Sequence, residues 1–102
     1  MQTYPKKKLE LIIEKPIIQR LLAILNDLDV TGYTVLPAIA GRGQDGTWEE
    51  GQITDASHMV QILCVLDEAK LEEVLSATFE ALKPQIGIVY VSDVQVVRKE
   101  HF

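Results

Sequence analysis

Helical and strand-like hydrophobic patterns alternate along this chain in an order that allows few folds. Apolar residues recur at helical spacing over about 17–29 and again over about 68–83. Aliphatic, β-branched stretches typical of strands flank both segments, and they cover about 6–14, 33–41, 59–66 and 87–98. Because β-α-β units cross over right-handed, this order predicts an α+β fold with one antiparallel sheet and two helices on a single face.

This β-α-β-β-α-β order is the ferredoxin-like topology, and it leaves the second face of the sheet without a helix to cover it. That face also carries apolar residues, and 47% of the 102 residues are apolar. A chain of this length fits one domain, here 1–102, but so small a domain leaves much of its surface exposed. We therefore expect further copies of the chain to cover the bare face.

Charge and cysteine content exclude several classes of function. The net charge of -5 argues against non-specific binding to nucleic acid or to an anionic membrane surface. Cys64 is the single cysteine, so no internal disulfide can form, and its apolar neighbours indicate a buried, inert thiol. The sequence has no signal peptide or spanning segment, so a cytoplasmic location is expected.

Residues 41–57 differ in kind from their surroundings. The stretch GRGQDGTWEEGQITDAS holds four glycines and has no apolar period, which predicts a long flexible loop. Loops of this length in a small domain are usually functional or disordered. Pro37, just before it, cannot donate a ladder hydrogen bond, so the preceding strand should have an edge or a bulge there.

Neither catalysis nor metal binding has a good candidate. His58 and His101 lie far apart, no nucleophile motif surrounds them, and the loop carboxylates lack a rigid scaffold. One cysteine and two distant histidines make a weak zinc site, and no EF-hand spacing occurs. We predict no catalytic residue and no metal site. A small ferredoxin-like enzyme and a trimeric divalent-metal-binding protein stay open as alternatives.

Anion binding fits the residues better. Gly41, Arg42 and Gly43 directly follow a strand, where glycine lets a ligand approach the backbone and arginine offers a charged fork. Arg98 and Lys99 close the last strand and add positive charge. The same residues also fit a hairpin-type turn with a solvated arginine.

These motifs together resemble the PII-like signalling proteins, trimeric relatives of the PII nitrogen regulators. The likeness runs from the first strand to Arg98 and is carried by four short segments: GYTV at 32–35, GRG at 41–43, GQ at 51–52 and GIVYV at 87–91. It is greatest to the branch tied to inorganic-carbon uptake, which includes carboxysome-associated members.

The resemblance implies a homotrimer that binds adenine nucleotides in the clefts between subunits. It also implies that the long loop, the T-loop at about 42–57, reports the ligand to a partner protein. By this resemblance, Gly41, Arg42 and Gly43 would contact the phosphates, and Thr34 would lie near the adenine. Gly87 and Ile88 would approach from the adjacent subunit, and Arg98 would reach the phosphate end of the ligand.

Two departures from the family pattern bear on the ligand. The segment 83–86 is short and lacks the glycine- and lysine-bearing stretch that grips the outer phosphates of ATP, which favours ADP or AMP and leaves ATP and cyclic AMP as further options. The loop has no tyrosine, so uridylylation is not expected. The resemblance also implies bicarbonate as a co-ligand, for which Arg42, Arg98 and Lys99 are the candidate donors.

The implied function is non-enzymatic signalling from the cytoplasm, with recruitment to a membrane transporter or a carboxysome-related protein. Trp48, Glu49 and Gln52 are the candidate partner-binding residues of the loop. Trp48 has two readings: it is either an anchor for the partner or a side chain folded back on its own subunit.

Overall fold

The computed structural model describes residues 1–43, 46–48, 58–85 and 87–102. A 3-10 turn at Lys15–Ile17 joins the first strand to the first helix. The elements in chain order are β1 (Tyr4–Glu14), α1 (Ile18–Asp27), β2 (Thr34–Ala38), β3 (Gly41–Gly43), β4 (Gly46–Trp48), β5 (Met59–Leu66), α2 (Glu68–Leu82) and β6 (Gly87–Val96).

Four strands form the main sheet in the order β2-β5-β1-β6, and every neighbouring pair is antiparallel. This confirms the predicted β-α-β-β-α-β topology. β2 is an edge strand, so Pro37 lies where a missing N–H donor is tolerated, as predicted. Among the strands that the structure describes, β3 and β4 pair with each other and with no third strand, as a small hairpin.

The core lies between the sheet and the two helices. Alternate side chains of β1, namely Leu9, Leu11 and Ile13, are fully buried on this face because successive residues of a strand point to opposite sides. Cys64 on β5 is buried with them, and burial raises the pKa of its thiol to about 11. The helices contribute Leu21, Leu25, Val74, Ala81 and Leu82.

Neither helix of the described residues lies on the other face of the sheet. Leu36, Ile88 and Tyr90 lie on this open face and are 40%, 55% and 41% exposed. Large apolar groups that stay this exposed on a sheet indicate a surface that something else covers.

Four strand boundaries differ from those predicted from the sequence. β1 begins at Tyr4 instead of residue 6, and β2 begins at Thr34 instead of residue 33. β2 ends at Ala38 instead of continuing to residue 41, because its partner β5 begins at Met59, directly opposite Ala38. β6 ends at Val96 instead of 98, because it pairs there with Tyr4, the first residue of β1. The described part of the predicted flexible loop is ordered as the β3–β4 hairpin.

Candidate functional site

The root of the long loop is the β3–β4 hairpin, which follows β2 after two residues. Gly41 pairs with Trp48, Arg42 with Thr47 and Gly43 with Gly46. Because side chains alternate along a strand, Arg42 points to the face of the hairpin opposite the Trp48 indole. Arg42 is exposed and has no ion-pair partner within the described part of the chain.

Trp48 is folded back on its own chain, which is one of its two predicted readings. Its Nε1–H donates a 2.8 Å hydrogen bond to the carbonyl oxygen of Ala38. Its ring lies against Gly41, where an added Cβ would come within 2.5 Å of Cη2. The other predicted partner-binding residues, Glu49 and Gln52, lie outside the described residues.

Gly87 and Ile88 open β6 at the same end of the sheet as the loop root. Gly87 pairs with Ile13 near the end of β1, and a Cβ added to it would lie 2.9 Å from the carbonyl oxygen of Ile12. Glycine is therefore required at 87 by the close approach of the neighbouring strand. Ile88 lies on the open face.

Arg98 and Lys99 follow the end of β6 and lie at the opposite end of the sheet. Thr34 begins β2 and pairs with Leu63, which is opposite Glu10, so it lies near the middle of the sheet. All three are exposed, and neither cation forms an ion pair with another described residue. A hydrogen bond from Thr31 Oγ1 to the carbonyl oxygen of His101 brings the final residues next to the start of β2.

Most of the predicted site residues thus form two groups on one chain. Gly41, Arg42 and Gly43 lie with Gly87 and Ile88 at one end of the sheet, Arg98 and Lys99 lie at the other, and Thr34 lies between the two ends. The sheet between them is as long as β1, which has 11 residues. At about 3.3 Å per residue this is roughly 30 Å, far more than a nucleotide can bridge.

A polar cluster on the open face was not predicted from the sequence. Glu10 accepts hydrogen bonds from Tyr90 Oη and Gln61 Nε2, each 2.7 Å long, and pairs with Lys8 at 3.2 Å. The Tyr90 hydrogen bond in particular holds the pKa of Glu10 below its usual value, and the same bond raises the pKa of Tyr90. The sequence feature that could have indicated this cluster is the two-residue period of the first strand, which puts Glu10 on the face away from the helices.

A surface cleft of about 300 Å³ lies near the Arg98 end, between the start of β1, the end of β6 and the start of α2. Its two lysines are already neutralised, since Lys6 pairs with Asp67 and Lys7 with Asp93. The second pair raises the pKa of Lys7. The cleft therefore offers little net charge to an anion.

The described residues contain no cluster of three or more His, Cys, Asp or Glu side chains that would hold a metal ion. Neither helix in the described part of the chain has the length and continuous apolar character that a bilayer crossing requires.

Comparison with known proteins supports this picture of the fold. The nitrogen regulatory protein P-II family model matches residues 6–101. A search of curated proteins gave no match. Among solved structures, CPII, a nitrogen regulatory PII-like protein from Thiomonas intermedia K12 bound to ADP, AMP and bicarbonate, is 28% identical with a TM-score of 0.86, covering 95% of this chain and 92% of that chain.

A second structure of CPII from Thiomonas intermedia K12, bound to ADP and bicarbonate, is 30% identical with a TM-score of 0.83 and covers 95% of this chain and 93% of that chain. Its apo form, at 24% identity and a TM-score of 0.77, covers 96% of this chain and 98% of that chain and supports the fold alone. The family model covers nearly the whole chain, and the topology agrees with it. The chain therefore belongs to the nitrogen regulatory protein P-II family.

Proposed function

We propose that this protein is a non-enzymatic PII-like regulator that binds ADP or AMP in clefts between the copies of a homotrimer, with bicarbonate as a co-ligand. The observation that carries the proposal is its similarity to CPII bound to ADP, AMP and bicarbonate, which extends over 95% of the chain at 28% identity.

The distribution of the candidate residues supports a site made by two copies. One chain holds Arg42 and Arg98 at opposite ends of the sheet, too far apart for a single nucleotide. A neighbouring copy that places its Arg98 end beside the Arg42 end of the first would bring both groups to one ligand. In this arrangement Gly87 and Ile88 come from the same copy as Arg42, which differs from the adjacent-subunit position that the family resemblance implied for them. Thr34 remains the candidate for the adenine contact.

The open sheet face supports the homotrimer. Its exposed groups Leu36, Ile88 and Tyr90 would become buried between copies, which favours association by removing apolar surface from water. The Glu10 cluster would then lie inside the assembly with its hydrogen bonds already formed, so that burying this carboxylate would leave few polar groups unsatisfied.

The charges at the two ends support phosphate and bicarbonate as ligand groups. Arg42, Arg98 and Lys99 are exposed and have no ion-pair partner among the described residues. An arginine can donate two parallel hydrogen bonds to a planar anion or a phosphate. The short segment between α2 and β6 favours ADP or AMP over ATP.

The loop at about 42–57 would pass the ligand state to a partner protein through Glu49 and Gln52, while Trp48 stays folded against Gly41 and Ala38. Because Arg42 stands at the root of this loop, a ligand bound there changes how the loop is held. We propose that the partner is a membrane transporter or a carboxysome-related protein in the cytoplasm, concerned with inorganic-carbon uptake.

Calorimetry of ADP binding, with and without bicarbonate, tests this function. We expect ADP to bind and bicarbonate to change its affinity, and ADP must then change the affinity for bicarbonate by the same factor. Thermal shifts with ADP, AMP, ATP, cyclic AMP, zinc and copper serve as the control panel. Stabilisation by a metal alone, with no response to any nucleotide, would favour the divalent-metal-binding alternative.

A further inference from the structure

The β3–β4 hairpin has little intrinsic reason to be stable. Each strand has three residues, and Gly41, Gly43 and Gly46 are three of the six. Isolated two-stranded hairpins are marginal in water, and glycine weakens a strand because it has no side chain to pack. Something outside the ladder must therefore hold the loop root in place.

Trp48 is the large apolar residue of this hairpin, and it makes two contacts that hold the hairpin to the rest of the chain. Its indole N–H donates to the Ala38 carbonyl at the end of β2, which ties β4 back to the main sheet. Its ring covers Gly41, the residue directly opposite in the register. An aromatic side chain across from a glycine is a recognised way to stabilise a weak strand pair. We call the Gly41 backbone and the Ala38 carbonyl the indole seat.

The two glycines of the Gly-Arg-Gly motif consequently have different surroundings. A Cβ at Gly41 would lie 2.5 Å from Cη2 and 3.0 Å from Cε2 of Trp48, so no side chain fits under the ring. A Cβ at Gly43 would meet no atom of the described residues within 4 Å. Trp48 therefore uses the space over Gly41, while no described residue covers Gly43 or the exposed Arg42.

We propose that Trp48 is a positioning residue for the ligand site: its indole, held in the seat, fixes β3 so that Arg42 is presented on the opposite face. This inference rests on the proposed function and deepens it. A preformed hairpin spares the ligand the cost of ordering the loop root. By linkage, a ligand on Arg42 stabilises the seated indole to the same extent.

A double-mutant cycle tests whether Gly41 acts through Trp48. Gly41→Ala should expel the indole, and Trp48→Ala should remove it; each should weaken ADP binding by about tenfold, because the ligand must then order the loop root itself. The double variant should bind ADP no more weakly than Trp48→Ala alone. If Gly41 instead touches the phosphate independently, the two losses will multiply, and the proposal is overturned.

Fluorescence of the single tryptophan reports directly whether its indole occupies the indole seat. Gly41→Ala should shift the emission to longer wavelength as the indole enters water, whereas the matched control Gly43→Ala should leave it unchanged. Trp48→Phe keeps a ring but loses the N–H donor, so its ADP affinity should fall between those of wild type and Trp48→Ala. An unchanged emission in Gly41→Ala, or wild-type ADP affinity in Trp48→Ala, contradicts the proposal.

These results separate the two levels of inference. If wild-type protein bound neither ADP nor AMP, the proposed function would fall and the positioning role would fall with it, even if the emission shift still revealed the seat. If wild-type protein binds ADP but the Trp48 and Gly41 variants bind it equally well, the proposed function stands and the positioning role is wrong.

Discussion

At the scale of single residues, the Glu10 cluster shows how a strand position acquires a chemical environment that its sequence neighbours do not reveal. Its three partners come from three places in the chain: Lys8 on the same strand, Gln61 on β5 and Tyr90 on β6. Only the register of the sheet brings them together. The carboxylate is thereby stabilised in its charged form.

This cluster predicts a pH dependence of stability. The pKa of Glu10 is lowered from its ordinary value of 4.5, so its contribution to stability is fully present above about that pH and is lost as pH falls through the folded pKa. In the Glu10→Gln variant, the free energy of unfolding should therefore fall less than in the wild type as the pH is lowered. Urea midpoints measured from pH 7 down to pH 3 check this.

Glu72→Gln is the matched control, since Glu72 is an exposed carboxylate on α2 without such a cluster. Glu72→Gln should lose as much stability at low pH as the wild type does. If Glu10→Gln also loses as much as the wild type between pH 7 and pH 3, the cluster does not stabilise the folded protein.

At the scale of elements, hydrophobic period predicted both helices and all four strands of the main sheet. These hydrophobic patterns are informative because the core lies on one side of each element. α1 buries Leu21 and Leu25, and β1 buries every second residue from Leu9 to Ile13. The patterns fail at the β3–β4 hairpin, where glycines carry no period and order depends on the contact between Trp48 and Gly41. That contact depends on tertiary placement, so composition predicted a flexible loop instead.

The one-sided packing of α1 can be tested with two matched substitutions. Leu21 is fully buried and Leu22 is only partly buried, although both pack near the same core. Leu21→Ala should lower the free energy of unfolding by about 2–5 kcal/mol, and Leu22→Ala by clearly less, because a smaller cavity forms. Urea denaturation at one fixed protomer concentration, without ligand, measures both. Equal losses would contradict the described orientation of α1.

At the scale of the whole molecule, the family resemblance implied that Gly87 and Ile88 approach Arg42 from the adjacent subunit, whereas the sheet topology puts them at the Arg42 end of the same chain. Gly41–Gly43 and Arg98 were assigned to one site by family likeness. The sheet order then separates them by the length of β1 within a chain. Such a separation follows from strand register and topology, which a list of motifs does not contain. It is also what supports a site shared between neighbouring subunits.

Arg42→Ala and Arg98→Ala test the contribution of each arginine to ADP binding. If each arginine makes a charge-assisted contact with the nucleotide, each variant alone should lose about 1.5–3 kcal/mol of ADP binding, which is roughly a 10- to 150-fold weaker affinity. Arg20→Ala, which removes an exposed arginine from α1, is the matched control and should bind ADP as the wild type does.

ADP binding to mixed assemblies of these two variants tests directly whether the nucleotide site forms between two copies of the chain. The mixed assemblies are obtained by co-expression with two different tags. A subunit lacking Arg98 still supplies Arg42, and its neighbour lacking Arg42 still supplies Arg98. In a randomly mixed ring about one quarter of the clefts should therefore regain both groups and bind ADP with wild-type affinity. A mixed preparation that binds ADP no better than its two parents would contradict a site formed between copies.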